Sequence, residues 1–328
     1  MPYRDDFGRA IHYLRVSVTD RCNLRCVYCM PPGGIEKQSH TDILRYEELE
    51  QILRIAAELG INKVRLTGGE PLARLGLVDF VRQVAAIPGI DDLSLTTNGT
   101  LLARHASALA EAGLQRVNIS LDTLRPDRFA QITRLGRLED VWAGMEAAQA
   151  AGLRPIKLNM VVVRGLNDDE VSDFARRTRS HGWHVRFIEL MPIGANVEWA
   201  SRRIVPVAEV AARIEAEVGP LQPVYGPTGN GPARYYQLPG AAGTIGFIAA
   251  LSNHFCSSCN RLRLTADGRL RPCLMSEEEI DLRAPLRAGA SRQELKELLI
   301  RAIQRKPQRH HLDQALGPQD RTMAQIGG

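Results

Sequence analysis

Apolar residues recur along the first two thirds of the chain at two alternating periods. In "YLRVSVTD", residues 13–20, Leu14, Val16 and Val18 alternate with polar positions, the pattern of a strand. In "YEELEQILRIAAELG", residues 46–60, Leu49, Ile52, Leu53, Ala56 and Leu59 fall on one helical face that Gly60 terminates. The exchange then repeats. Strand-like "NKVRL", "DLSLTT", "RVNISL", "PIKLNMVVV" and "HVRFIEL" are separated by helical "LVDFVRQVAAI", "LLARHASALAEAG", "RPDRFAQITR" with "LEDVWAGMEAAQAAG", and "NDDEVSDFARRTRSHG". Pro126 suits a first helical position, and Asn167 followed by Glu170 reads as a capping arrangement. Six strands alternating with helices predict an α/β fold: a parallel sheet with right-handed crossovers, covered by helices and curved toward a barrel. Six units fall short of the eight that close a standard barrel. The expectation is an open, partial β/α barrel over residues 1–215, with residues 216–328 as a C-terminal extension.

Chemically unusual residues gather where each strand finishes. Thr67-Gly68-Gly69-Glu70-Pro71 follows the second strand; Thr96, Thr97, Asn98 and Gly99 the third; Ser120, Leu121 and Asp122 the fourth; Met191 and Pro192 the sixth. In a barrel-like α/β fold these ends share one face, the usual place for an active site. Composition narrows the setting. The chain has 328 residues, 44% of them hydrophobic, and a net charge of +5 that permits a polyanionic ligand without demanding nucleic acid. Neither an apolar run behind a basic start nor about 18 consecutive apolar residues occurs. A cytoplasmic chain without a membrane span is therefore expected.

The six cysteines form two sets of three, Cys22, Cys26 and Cys29, then Cys256, Cys259 and Cys273. Tight thiol triplets in a cytosolic chain point to metal more than to disulfides. The first set lies just beyond the first strand. A 4Fe-4S cubane normally takes four thiolates, so three leave one iron open for a substrate. A structural zinc would ask for a fourth close ligand, which His12 and His40 do not supply by spacing. For the second set, "RLRLT" and "GRLRPCL" alternate around Asp267-Gly268, a hairpin turn signal. A two-residue loop there would set Cys273 opposite Leu262, near Cys259. Two readings stand on these residues: a closed Cys3His zinc site completed by His254, or a second cubane with an open iron.

The motifs "FGR", "YLRVSVTDRCNLRCVYCMP", "RLTGGEP", "TTNG", "NISLD", "ELMP", "CSSCNRLRLTADGRLRPCL" and "IGG", in this order over nearly the whole chain, resemble the GTP 3′,8-cyclase family. This is a radical S-adenosylmethionine (SAM) family of molybdenum cofactor biosynthesis. The resemblance implies two 4Fe-4S clusters, on Cys22, Cys26 and Cys29 and on Cys256, Cys259 and Cys273. It also implies SAM as the source of a 5′-deoxyadenosyl radical, with Tyr28, Gly68, Gly69, Glu70, Ser120 and Met191 at the SAM-contacting positions. Arg15, Arg65, Thr96, Lys157, Arg261 and Arg263 correspond to positions associated with GTP, and Arg15, Arg261 and Arg263 also to catalytic ones. Arginine forks suit phosphate oxygens.

The carboxyl tail is implied to reach the active site through Gly327 and Gly328. The basic "RKPQRHHL", residues 305–312, reads as a solvated surface run. Further expectations are an electron donor such as reduced flavodoxin or ferredoxin, and cyclic pyranopterin monophosphate synthase downstream. Nucleic acid and membrane are not expected as partners, and an open barrel edge permits a homodimer. Readings of another class are a SAM-dependent tRNA-modifying enzyme and a zinc-stabilised interaction protein.

Overall fold

The computed structural model describes residues 2–194, 197–227, 231–310 and 321–327. The six expected strands form as β1 (Tyr13–Ser17), β2 (Lys63–Thr67), β3 (Asp92–Thr97), β4 (Arg116–Ser120), β5 (Lys157–Val162) and β6 (His184–Glu189). They pair in chain order, each parallel to the next. The crossovers carry α1 (Tyr46–Glu58), α2 (Leu77–Ala85), α3 (Ala106–Glu111), α4 (Pro126–Thr133) with α5 (Leu138–Ala150), and α6 (Val171–His181). Pro126 stands in the first turn of α4, as its fixed φ and missing N–H favour.

The C-terminal third extends this same sheet. After α7 (Val197–Ser201) and α8 (Val207–Glu217) come β7 (Gln222–Pro223), β8 (Arg234–Gln237) and β9 (Thr244–Ile248). Then follow β10 (Arg261–Leu264), β11 (Arg269–Arg271), β12 (Ile280–Asp281), α9 (Arg283–Arg287), α10 (Arg292–Gln304) and α11 (Met323–Ile326). β9 lies parallel to β6 and β10 parallel to β1. The strand order is β12-β11-β10-β1-β2-β3-β4-β5-β6-β9-β8-β7. Among the described residues the end strands β12 and β7 do not pair with each other, so the barrel is open.

Alternation divides the sheet into two chemically opposite faces. Leu14, Val16, Val64, Leu66, Leu95, Val117, Ile119, Leu158, Val185 and Phe187 are buried in the core with the helices. The positions between them carry Arg15, Arg65, Thr96, Asn118, Lys157 and Arg186. A side chain alternates faces with each residue, so these polar groups all project to the inner side.

Two expectations are corrected. Asn167 and Glu170 are fully buried and do not cap a helix. Asn167 donates to the carbonyls of Asp122 and Val161, each at 2.9 Å, and accepts from Val163 N at 2.8 Å. Glu170 accepts from the Thr123 hydroxyl at 2.5 Å, Leu124 N at 2.7 Å and Arg128 at 2.6 Å. The pair stitches the loops after β4 and β5 because those buried backbone groups have no strand partner. The hairpin register also differs. Arg263 pairs with Arg271 and Leu264 with Leu270, closing a three-residue loop in which Gly268 takes φ +80°. Continuing that register sets Cys273 opposite Arg261 instead of Leu262. A left-handed glycine ending a three-residue turn is the usual way to reach it.

Glu189, at the end of β6, joins the barrel to the segment that leads into the second cysteine set. Its buried carboxylate accepts from Val207 N at 3.0 Å, Leu251 N at 2.8 Å, Ser252 N at 3.0 Å and the Ser252 hydroxyl. Replacing it by Ala strands these donors, at a cost of about 3 kcal/mol. Glu189→Ala is therefore expected to lower the thermal midpoint measured by circular dichroism, and an unchanged midpoint would refute this latch.

Candidate active site

The first cysteine loop is built on the ends of β1 and β2. Gly69 N donates to Thr19 O and Glu70 N to Arg21 O, each at 2.8 Å, so the Gly68-Gly69 segment lies backbone to backbone against the start of the loop. A Cβ on Gly68 would stand 2.5 Å from Thr19 O, and one on Gly69 2.5 Å from Arg21 O. This close approach requires both glycines. On the other side, Arg25 N and Val27 N donate to Thr133 O and Ile132 O at the end of α4. Arg134 reaches the carbonyls of Arg25 and Met30 at 2.9 and 3.0 Å.

Glu70 holds the turn after β3 in place. Its carboxylate accepts from the Thr97 hydroxyl at 2.8 Å, Asn98 N at 2.7 Å and Leu72 N at 3.1 Å, while burial pushes it up to about 7. Asn98 in turn bonds Asn23 at 2.9 Å and approaches the Cys22 sulfur at 3.9 Å. The Tyr28 hydroxyl donates to Asp122 at 2.5 Å, and Asp122 also accepts from Val161 N at 2.9 Å. Ser120 closes β4 beside Asn159, and Met191 follows the end of β6.

The three sulfurs are electrostatic neighbours. Burial raises all three thiols, and neighbouring cysteines add to it, so Cys26 rises well above its ordinary value and Cys29 to about 12. Such a set asks for a bound cation, since a metal replaces the protons on its thiolate ligands. Among the described residues, no three His, Cys, Asp or Glu side chains gather tightly enough for one metal ion. His254 packs edge-to-face on His310, 5.1 Å between ring centres.

The parallel register assembles the cations. Arg263, Arg15, Arg65, Ser94 and Arg116 are successive partners across β10, β1, β2, β3 and β4. Thr96, Asn118, Lys157 and His184 make a second row across β3 to β6. Burial, then Arg263, holds Arg15 well below the usual guanidinium range. Burial and then Arg261 bring Arg263 down to about 10, and burial brings Arg186 to about 10. Lys157, through burial and then Arg186 and Arg116, falls to about 6. Arg15 Nε, Thr96 Oγ1, Asn159 Oδ1, Arg186 Nε and Arg261 Nε are buried without a hydrogen-bond partner. Crowded cations and unsatisfied donors together describe a site for a polyanion.

The second cysteine set sits beside this array. Cys256, Cys259 and Cys273 influence one another electrostatically, and Arg263 senses both Cys259 and Cys273. Arg261 stacks over Phe255 at 4.9 Å. Burial raises the Cys259 thiol, but Arg261 and Lys306 outweigh it and bring the group to about 7. Lys306 is thus buried within the site, which corrects the reading of this part of residues 305–312 as a solvated run.

The tail enters between the two sets. Thr322 and Gln325 form a capping box that starts α11, and Arg321 grips Asp267 at 2.9 and 3.1 Å. The Gly327 carbonyl accepts from the Thr67 hydroxyl at 2.6 Å and from Arg263 at 3.4 Å, and the Ala324 backbone partly offsets the burial that raises the Cys29 thiol. Gly328 lies outside the described residues.

The structure therefore brings the expected residues of β1 to β5 and β10 onto one inner face, with the cysteine loops and Gly327 at its rim. Sequence reasoning missed Arg186, Lys306 and Arg9. Arg186 was detectable, because an arginine at an alternating position of a central parallel strand must face something polar. Lys306 was read as part of a solvated basic run, and Arg9 stands in the quoted "FGR" motif without a role having been given to it.

Comparison with known proteins gives a consistent result. The family model of the Radical SAM superfamily matches residues 16–178, and that of Molybdenum Cofactor Synthesis C matches residues 183–312. A GTP 3′,8-cyclase of Pelotomaculum thermopropionicum is 58% identical over 326 residues, covering 99% of this chain and 100% of the relative. Those of Heliobacterium modesticaldum and Moorella thermoacetica are 57% and 54% identical, covering 99% of this chain and 99% and 100% of the relatives. The crystal structure of Streptococcus suis SuiB bound to precursor peptide SuiA resembles this fold with a TM-score of 0.59 at 13% identity. The match covers 91% of this chain and 65% of that one.

The cation array makes a prediction of its own. At about pH 7.5 Lys157 has largely lost its proton, and a bound polyanion restores it. Inorganic tripolyphosphate is expected to bind with net proton uptake, detected by calorimetry in buffers of different ionisation enthalpy. Its affinity should fall as pH rises above about 6. Lys157→Met should remove the uptake; persistence of the full uptake in that variant would refute the assignment.

Proposed function

The chain belongs to the GTP 3′,8-cyclase family, and on that premise we infer that it converts GTP to (8S)-3′,8-cyclo-7,8-dihydroguanosine 5′-triphosphate, the first step of molybdenum cofactor biosynthesis. It is a lyase-class radical SAM enzyme. The observation that carries this reading is the row of buried cations on the inner face, bordered by two three-cysteine sets.

The residues present fit the groups the reaction needs. Cys22, Cys26 and Cys29 would hold one 4Fe-4S cluster and Cys256, Cys259 and Cys273 the other, each leaving one iron for a non-protein ligand. Tyr28, Gly68, Gly69, Glu70, Ser120 and Met191 are proposed as the SAM-binding positions. When bound, the clusters and SAM supply one-electron reduction and hydrogen-atom abstraction from an unactivated C–H bond.

The protein's own task is alignment. Arg15, Arg65, Thr96, Lys157, Arg261 and Arg263 are proposed to hold GTP, and Arg186 joins them on geometric grounds. Their guanidinium forks match phosphate oxygens, and the triphosphate relieves the repulsion among them. Fixing the triphosphate limits the positions that the ribose and guanine can take. Arg263 spans three parts of the site, sensing Cys259 and Cys273 while donating to Gly327. Arg15, Arg261 and Arg263 are accordingly the proposed catalytic positions, and Gly327 with Gly328 the tail that excludes water.

We divide the chain by role into the barrel, residues 1–215, and the substrate-cluster region, residues 216–328. No helix among the described residues is long and apolar enough to cross a membrane. We place the enzyme in the cytoplasm, supplied by a donor such as reduced flavodoxin or ferredoxin and followed by cyclic pyranopterin monophosphate synthase. A homodimer is compatible with this role.

Anaerobically reconstituted protein given SAM, a strong reductant and GTP deuterated at the ribose 3′ carbon should form deuterated 5′-deoxyadenosine, read by mass spectrometry. Unlabelled 5′-deoxyadenosine would overturn the GTP assignment. Cys273→Ala is expected to abolish cyclisation, and normal turnover by that variant would remove the second cluster from the mechanism.

A further inference from the structure

Lys306 is 2% exposed, and an ammonium so deeply buried requires both hydrogen-bond acceptors and a countercharge. Two of its N–H donors go to the carbonyls of Arg261, at 2.9 Å, and Pro272, at 2.8 Å, and the ammonium is close enough to lower the Cys259 thiol. These carbonyls belong to the residue two after Cys259 and the residue just before Cys273. Among the described residues no carboxylate pairs with Lys306, and the nearby group that responds to its charge is the Cys259 thiol.

The position of Lys306 is itself fixed. Arg9, paired with Asp5 at 2.5 Å, donates to the carbonyls of Lys306, Pro307 and Gln308 at 3.4, 2.8 and 3.1 Å. The same guanidinium donates to Cys256 O at 2.8 Å. One bracket thus touches the backbone at Cys256, the backbone two residues after Cys259 and the backbone beside Cys273. A surface lysine would have none of these partners and would lose too much side-chain entropy to be held this way.

We propose that Lys306 is the positioning residue of the substrate cluster: it fixes the spacing of Cys259 and Cys273 and places its ammonium beside the Cys259 ligand. This rests on the two-cluster reading above. Hydrogen bonds to ligand sulfurs and nearby charge are two of the means by which a protein sets a cluster's potential. A cation at the sulfur favours the reduced cluster, which carries one more negative charge.

The test uses reconstituted full-length enzyme. Lys306→Gln keeps N–H donors for the two carbonyls and removes the charge. It is expected to carry wild-type iron while the reduced-to-oxidised ratio of the second cluster, at a fixed potential, falls about tenfold, which is 59 mV for one electron. The ratio is read by electron paramagnetic resonance, with Cys22→Ala/Cys26→Ala/Cys29→Ala protein assigning the signal. A ratio within twofold of wild type, with or without loss of iron, overturns the proposal. A second measurement needs no variant: in 15N-lysine-labelled wild-type enzyme without GTP, electron–nuclear double resonance of the reduced second cluster should show one lysine 15N coupling. Its absence also overturns the proposal. If wild type itself shows only one reducible cluster, the two-cluster reading has failed and this inference falls with it, an outcome distinct from the other two.

Discussion

Repulsion among cations on the inner face of the sheet is the constraint around which the molecule is organised. Arg263, Arg15 and Arg65 lie on one transverse row, with Arg186 nearby. Unit charges about 4 Å apart repel by roughly 4 kcal/mol at the effective dielectric of a protein surface. The outer face offsets this. Its branched apolar side chains pack against the crossover helices and provide the burial that holds the strands in register. A fold stabilised on one side can therefore keep a strained electrostatic arrangement on the other, to be relieved by an anion.

The same division explains what could be read from the sequence. Strands β1 to β6, the helices between them and the gathering of motifs at the strand ends were legible because alternation and helical periodicity are local. Both cysteine sets were legible from spacing. Strands β9 and β10 were not expected to extend the parallel sheet, since the return from residue 261 to the side of Tyr13 depends on a partner 248 positions away. The hairpin register was missed for a smaller reason. Asp267-Gly268 fits two loop lengths, and the three-residue loop is selected by the Thr265 hydroxyl, which donates to Asp267 at 2.5 Å and accepts from Arg269 N at 2.9 Å.

Polar residues that serve the backbone were the least legible. Asn167, Glu170 and Glu189 look like surface residues in sequence, and each is buried against loop backbone: the carboxylates accept from Leu124 N and from Val207, Leu251 and Ser252 N, while Asn167 accepts from Val163 N and donates to two carbonyls. Their placement follows from a general requirement: loops that converge on an interior site bring unpaired backbone groups with them, and these must find partners. Lys306 and Arg9 answer the same requirement around the second cysteine set, where the acceptors are carbonyls and the residues supplied are cations.

The pairing of β1 with β10 bears on how the chain comes off the ribosome. Residues emerge in order, and β1 to β6 can assemble with their crossovers long before residue 261 is made. Until then β1 presents an unpaired edge, as β6 does until β9 arrives. The nascent barrel therefore passes through a stage with two open flanks and its first thiol loop already formed. During that interval it is exposed to association with other chains, and it depends on the later strands, or on a chaperone, to cover those flanks.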